Sequence, residues 1–249
     1  MSKLSIPKVI GHRGAKAYAP ENTLASIHTA ADLGVEWVEV DVKLTRDGVA
    51  VLFHDEELER CTGAPGLVAD IDFQDLRELD AGSWFGESFT GEKIPTLEEA
   101  LDVILDRNLG VNLEIKPCPG REVETTEVML DVATRIWPDE LPPPLISSFQ
   151  HVSLEAALDM MPEWPRGLLM EEHMSNWRDI AEYLDAATIN IDGRKVTQDQ
   201  IEAYLELRKP ILAYTINDPQ KARELMRWGV DSVFSDNPDL ILEAVQLKH

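Results

Sequence analysis

Short runs of β-branched and apolar residues alternate with stretches of helical periodicity along most of the chain. That alternation predicts parallel βα units rather than an all-β or bundle fold. Eight strand-like runs can be counted, at residues 8–13, 37–41, 111–116, 145–148, 167–170, 188–192, 211–215 and 232–235. Helical patterns separate them. Residues 22–33 are closed by Gly34, and residues 97–107 follow Thr96, which has capping-box spacing to Glu99. Eight such units close a TIM-type (β/α)8 barrel, and 249 residues suit a single α/β barrel domain spanning 1–249.

A ninth run, residues 49–54, follows the second strand too closely for a parallel crossover, so it is expected to return antiparallel. Asp47-Gly48 is a two-residue hairpin signal, and a turn centred there sets Asp41 opposite His54. Such a hairpin extends the second strand above the barrel's C-terminal rim and brings His54 level with that strand's carboxylates. Residues 56–95 then hold turn signals at Gly63, Pro65 and Gly66, a short helical pattern at 73–79, and the aromatics Trp84, Phe85 and Phe89. We read them as a small insertion over the barrel mouth whose aromatics form their own small core.

Charge narrows the partners. The chain carries 46 acidic and 23 basic residues, a net charge of -23, which is the wrong sign for nucleic-acid phosphates or anionic headgroups. The expected partner is a small molecule, with no nucleic acid and no membrane, and oligomeric state is left open. An anionic substrate stays compatible, because a bound divalent cation and a few local bases invert the field inside a cleft. Cys61 and Cys118 are too few for a disulfide framework and form no CxxC pair, so both read as reduced thiols. The N-terminal stretch lacks a signal peptide's apolar core, and no segment approaches the roughly 20 apolar residues of a membrane span. A cytoplasmic protein is expected.

Along the second strand, period-two alternation turns Val38 and Val40 toward the helices and Glu39 and Asp41 toward the barrel axis. The same pattern turns Asn112, Glu114 and Lys116 inward. Strand-end charges ordinarily sit on a solvated rim or form salt bridges, but three carboxylates in one inward pattern repel unless a cation binds them or one takes a proton. Oxygen ligands without cysteine favour one hard divalent ion, Mg2+ or Ca2+. His12, Arg13 and Gly14 end the first strand, where this fold places catalytic groups, and His54 ends the return hairpin. Phosphodiester cleavage needs a base, an acid and positive charge on the phosphoryl oxygens, and His12, His54, Arg13, Lys116 and the metal fit those parts. Taken alone, either histidine reads as structural; the combination carries the chemistry. His28, His151, His173 and the terminal His249 invite no such reading, since none has a second ligand at metal spacing.

These residues resemble a known family. His12-Arg13-Gly14, Pro20-Glu21-Asn22-Thr23, Glu39-Val40-Asp41, His54-Asp55 and Leu113-Glu114-Ile115-Lys116 match glycerophosphodiester phosphodiesterases in order and spacing. The likeness extends through Gly82-Ser83-Trp84-Phe85, Ile94-Pro95-Thr96-Leu97, Ser147-Ser148-Phe149 and Tyr214-Thr215-Ile216-Asn217, nearly the whole chain, and is to the small cytoplasmic bacterial members. The resemblance implies metal ligation by Glu39, Asp41 and Glu114, acid/base roles for His12 and His54, phosphate binding by Arg13 and Lys116, and a substrate pocket walled by Phe149 and Tyr214. It also implies attack by a glycerol hydroxyl to give a cyclic phosphate that water opens. Two places depart from the family: Ala15-Lys16, where many relatives continue with small or glycine residues, and Tyr214, where relatives often have Trp. Glu21 and Asn22 read as the start of the first helix.

Three functions are compatible with this pattern. The first is metal-dependent hydrolysis of glycerophosphodiesters, such as glycerophosphocholine and glycerophosphoethanolamine, to sn-glycerol 3-phosphate and an alcohol. The second keeps the site but takes lysophospholipids or sphingolipids, which calls for an exposed apolar or basic face, and no amphipathic basic helix is legible. The third is a non-catalytic phosphoester-binding barrel. A degenerate barrel is expected to lose one of the carboxylates or histidines, and here all are present.

Overall fold

Three helices start where a Thr precedes Ser, Glu or Gln by three positions. Thr23 with Ser26, Thr96 with Glu99 and Thr197 with Gln200 each exchange two hydrogen bonds between side chain and backbone, satisfying amides that the first helical turn leaves free.

The computed structural model describes residues 4–246. Strand β1 (Val9–Gly11), helix α1 (Leu24–Asp32) and the hairpin strands β2 (Trp37–Leu44) and β3 (Ala50–Leu52) come first, followed by short helices α2 (Glu59–Thr62) and α3 (Phe73–Leu76). Helix α4 (Leu97–Asp106), β4 (Gly110–Ile115), α5 (Glu122–Ile136), β5 (Leu145–Ser148), α6 (His151–Met160) and β6 (Arg166–Met170) form the middle of the chain. The rest is α7 (Trp177–Tyr183), β7 (Thr188–Asp192), α8 (Gln198–Leu205), β8 (Ile211–Tyr214), α9 (Pro219–Trp228), β9 (Ser232–Ser235) and α10 (Pro238–Gln246).

Eight strands pair in parallel in the order β1, β9, β8, β7, β6, β5, β4, β2, and β1 pairs with β2 to close the ring. The expected (β/α)8 barrel is therefore present, with β3 outside it, antiparallel to β2. Alternation along β2 is as read from the sequence. Val38, Val40 and Val42 pack outward with Ile27, Leu101 and Leu113, each buried valine contributing on the order of 1.5–2 kcal/mol. At the N-terminal end the barrel interior is apolar, filled by Ile10, Trp37, Leu145, Leu212 and Phe234. A Cβ on Gly110 would meet the Trp37 ring at 2.2 Å, so the indole occupies the space that a side chain on the neighbouring strand would take.

The hairpin register differs from expectation by one residue. β2 and β3 pair Val42 with Leu52 and Leu44 with Ala50, and Phe53 N donates to Asp41 O at 3.0 Å, so Phe53 rather than His54 lies opposite Asp41. A two-residue I′ or II′ turn centred on Asp47-Gly48 needs positive φ at Asp47, but only Gly48 adopts it, at 81°. Asp47 instead accepts from Thr45 Oγ1 at 2.6 Å and from Phe73 N at 3.0 Å, and residues 46–48 form a three-residue loop. Residues 56–95 have a core of their own: Leu58, Cys61, Val68, Leu76, Ala81 and Ile94 pack with Val51 and Phe53. Trp84, Phe85 and Phe89 stack edge to face at 5.7 and 5.5 Å, but that core is built from other residues and Trp84 is exposed, so the aromatics do not form it as expected. Among the described residues no helix is long and apolar enough to cross a membrane.

Arg166 opens β6 at the barrel's N-terminal end and is 2 % exposed. Its guanidinium donates to the carbonyls of Leu184 at 3.0 Å, Trp164 at 2.7 Å, and Met161 and Pro162 at 3.2 Å. Methionine fills similar volume but leaves those carbonyls unpaired. Arg166→Met should cost about 2–4 kcal/mol and lower Tm by about 5–10 °C. Because the site described next lies at the other end of the barrel, kcat should stay within about twofold; calorimetry and steady-state rates on the same preparation check both.

Candidate active site

Parallel register sets Asp41 beside Glu114 and Glu39 beside Asn112 on adjacent strands. Glu39 and Asp41 are 3 % and 1 % exposed, and one oxygen from each of Glu39, Asp41 and Glu114 lies within 4.8 Å of the others. Burial, with Asp41 and Glu114 close by, drives the Glu39 carboxyl well above the ordinary range. Burial also raises Glu114, against the pull of Lys116. Burial pushes Asp41 up as well, but Arg13, Lys116 and His54, with a hydrogen bond from Asn22, hold it below the usual carboxylate range. Glu39 Oε1 is buried without a hydrogen-bond partner. Three crowded carboxylates with an orphaned oxygen among them fit a hard divalent cation.

Counter-charges converge on the same point. Arg13 Nε is 3.1 Å from Asp41 Oδ2, an ion pair without hydrogen-bond alignment, while its backbone N donates to Glu39 Oε2 at 2.9 Å and its side chain to Glu21 Oε1 at 2.7 Å. Arg13 holds φ at 50°, a left-handed conformation that non-glycine residues adopt at a cost of about 1–3 kcal/mol. Lys116 Nζ donates to Glu114 Oε1 at 2.9 Å and sits 5.3 Å from the centre of the Phe149 ring. Asn22 donates to Asp41 Oδ2 at 2.8 Å and accepts from its backbone N at 3.1 Å.

Each candidate histidine has a carboxylate behind it. His12 Nδ1 donates to Asp236 Oδ1 at 2.6 Å, and Asn217 donates to Asp236 Oδ2 at 2.7 Å. His54 Nδ1 donates to Asp55 Oδ1 at 2.6 Å. With Nδ1–H committed, Nε2 is the atom left to take or give a proton. Burial lowers His12, with Arg13 adding to it and Asp236 opposing. Burial together with Arg13 and Lys116 brings His54 down to about 4 despite Asp41 and Asp55.

One cavity of about 810 Å³ is lined by His12, Arg13, Glu39, His54, Glu114 and Lys116, and farther out by Phe149 and Tyr214. Asp41 lies behind its wall. All nine residues singled out in the sequence are thus brought together. Phe149 and Tyr214 meet edge to face at 5.7 Å, and the Tyr214 hydroxyl donates to Met170 O at 2.8 Å. Lys16 also lines the cavity, 3.6 Å from Glu21. Cys61 and Cys118 are unpaired, His151 opens α6, and His173 bonds the Tyr204 hydroxyl; His249 lies outside the described residues.

Several groups were not found from sequence. Glu21 and Asn22 read as the start of the first helix, yet that helix starts at Leu24 after the Thr23 cap, and Asn22 takes φ 56° to reach Asp41. Asp236 directly follows β9, and the rule that this fold's functional groups follow strand C-termini was the available signal for it. Arg60 and Asn217 act through contacts 39 and 19 positions away, whereas Asp55 bonds its own chain neighbour His54.

The model of the glycerophosphoryl diester phosphodiesterase family matches residues 12–240. The chain belongs to that family. A glycerophosphodiester phosphodiesterase of Caldanaerobacter subterraneus is 32% identical over 244 residues, 96% of this chain and 97% of its own. One from Bacillus subtilis is 32% identical, over 93% and 84%. The structure of an Oleispira antarctica phosphodiesterase in complex with the product sn-glycerol-3-phosphate is similar with a TM-score of 0.94 and 42% identity, covering 97% of this chain and 98% of that one. Membership makes this protein a glycerophosphodiester phosphodiesterase by class, in a family generally dependent on a divalent metal.

Asp236 fixes the His12 tautomer by accepting from Nδ1, so Asp236→Asn should lower kcat at least tenfold with KM within about threefold. Steady-state kinetics on a glycerophosphodiester give the ratio; equal loss in both parameters would count against the assignment.

Proposed function

We propose that this protein hydrolyses water-soluble glycerophosphodiesters, with glycerophosphocholine and glycerophosphoethanolamine as examples, to sn-glycerol 3-phosphate and the free alcohol. The observation that carries the proposal is the meeting, on one cavity, of two imidazoles with free Nε2 atoms and three crowded carboxylates. Glu39, Asp41 and Glu114 hold one divalent ion, Mg2+ or Ca2+, which when bound supplies positive charge for the phosphoryl oxygens. Arg13 and Lys116 bind the non-bridging oxygens, their side chains already fixed by Glu21, Asp41 and Glu114. One imidazole Nε2 takes the proton of the attacking hydroxyl and the other protonates the departing oxygen. If the glycerol hydroxyl attacks first, the two exchange roles when water opens the cyclic phosphate. The glycerol 3-phosphate bound by the Oleispira antarctica enzyme supports this product. Phe149 and Tyr214 wall the glycerol side, with the Tyr214 hydroxyl tied to Met170. We take residues 56–95 as an insertion on the rim of one barrel domain.

A second cavity of about 750 Å³ shares His54, Glu114, Lys116 and Phe149 with the first, so the two arms of a diester have room on either side of the phosphorus. Glu56, Glu57 and Glu59 line the second cavity. They pair with no cation among the described residues, which favours a cationic alcohol there.

Purified protein should release glycerol 3-phosphate from glycerophosphocholine with Mg2+ or Ca2+ and not with chelator, and Glu39→Ala and His12→Ala should each lose at least a hundredfold in rate. Release with neither metal, tested beside lysophosphatidylcholine, would overturn the assignment. Solvent-open carboxylates contribute about 0.5–1 kcal/mol each. Glu56→Gln with Glu59→Gln should therefore raise KM for glycerophosphocholine about five- to thirtyfold and leave KM for an uncharged diester such as glycerophosphoglycerol unchanged.

A further inference from the structure

One side chain of the insertion reaches both halves of the site. Arg60 Nε donates to Asp55 Oδ2 at 2.5 Å, and its two terminal nitrogens donate to the two oxygens of Glu21 at 2.8 and 2.7 Å. Asp55 in turn holds His54 Nδ1, and Glu21 holds Arg13. A single guanidinium therefore spans the carboxylate behind an imidazole and the carboxylate behind a phosphate-facing cation. Nothing in the barrel ring supplies that tie, because His54 comes from beyond the end of β3, outside the ring, while Arg13 follows β1.

The base of Arg60 is itself fixed. Its neighbours Leu58 and Cys61 are 1 % and 5 % exposed in the insertion's core, and α2 is closed by Gly63 in the left-handed region at φ 70°. On the outer side the guanidinium carbon lies 5.9 Å from the centre of the Trp84 ring, so Trp84 backs the fork. Glu21 is 6 % exposed and meets Arg13, Arg60 and, at 3.6 Å, Lys16. A lysine cannot reproduce the span, since one ammonium nitrogen lacks the planar five-donor fork that binds two carboxylates at fixed geometry.

We propose that Arg60 is a positioning residue for catalysis, holding His54 through Asp55 and Arg13 through Glu21 at a fixed separation. The inference rests on the acid/base role given above to His54 and the phosphate role given to Arg13. It assigns the insertion a function: to deliver this one guanidinium.

The test uses Arg60→Lys, Arg60→Gln, Asp55→Asn and the Arg60→Gln/Asp55→Asn double variant. Steady-state kinetics with glycerophosphocholine and NMR of histidine-labelled protein read each one, with Tm recorded for all. Both Arg60 variants should lose at least tenfold in kcat, and the double variant should be no slower than the slower single variant. The His54 Nδ1–H resonance should shift or broaden in both Arg60 variants while that of His12, bonded to Asp236, stays in place. Unchanged kcat, or losses that multiply in the double variant with the His54 resonance unmoved, would overturn the proposal. Absence of hydrolysis by the wild type would sink the glycerophosphodiester reading instead, and the NMR comparison would still decide the role of Arg60, because it needs no substrate.

Discussion

Three carboxylates held within 4.8 Å of one another inside a barrel are the constraint to which the rest of the site answers. Left to themselves, like charges at that spacing cannot all ionise. The surroundings therefore divide them. Asp41 keeps its charge because Arg13, Lys116 and the Asn22 amide stabilise it, whereas Glu39, with one oxygen unpartnered, is pushed toward the protonated form. A divalent cation resolves the conflict without a proton. The arrangement is thus under electrostatic strain that such an ion would relieve.

That strain also explains how a chain of net charge -23 can take an anion. Glu21, Glu39, Asp41, Asp55, Glu114 and Asp236 face Arg13, Lys16, Arg60 and Lys116, six acidic groups to four basic. A divalent ion among the crowded carboxylates would make up that difference where Arg13 and Lys116 meet a phosphodiester monoanion. It is this local balance, rather than the overall charge, that decides what small anion the cleft can accept.

What could be read from the sequence was what depends on local periodicity. Inward Glu39, Asp41 and Glu114 follow from alternation along two strands, and the Thr96–Glu99 cap from spacing within one turn. The hairpin register was missed because the turn is chosen by Asp47 reaching Phe73, a contact from outside the hairpin. Asn22 reads as helical from local spacing, whereas its left-handed φ is held by two bonds to Asp41 and one from its backbone N to Arg13 O. Asp236 is 224 positions from His12, so nothing short of ring closure, which brings β9 beside β1, could pair them.

Ring closure also accounts for the different supports of the two imidazoles. His12 follows β1 and Asp236 follows β9, neighbours in the ring, so hydrogen bonds from the rigid sheet fix their separation, and a neutral amide from Asn217 suffices to hold the carboxylate. His54 follows the one strand outside the ring. Its carboxylate partner is the adjacent residue in the chain, and neither is fixed by a parallel neighbour on both sides. An imidazole on such an arm needs an anchor that reaches back to the barrel, and a doubly bonded, charge-assisted fork is the strongest short-range tie a side chain offers. The barrel therefore orients one histidine through its topology, and the other needs an inserted segment with a core of its own.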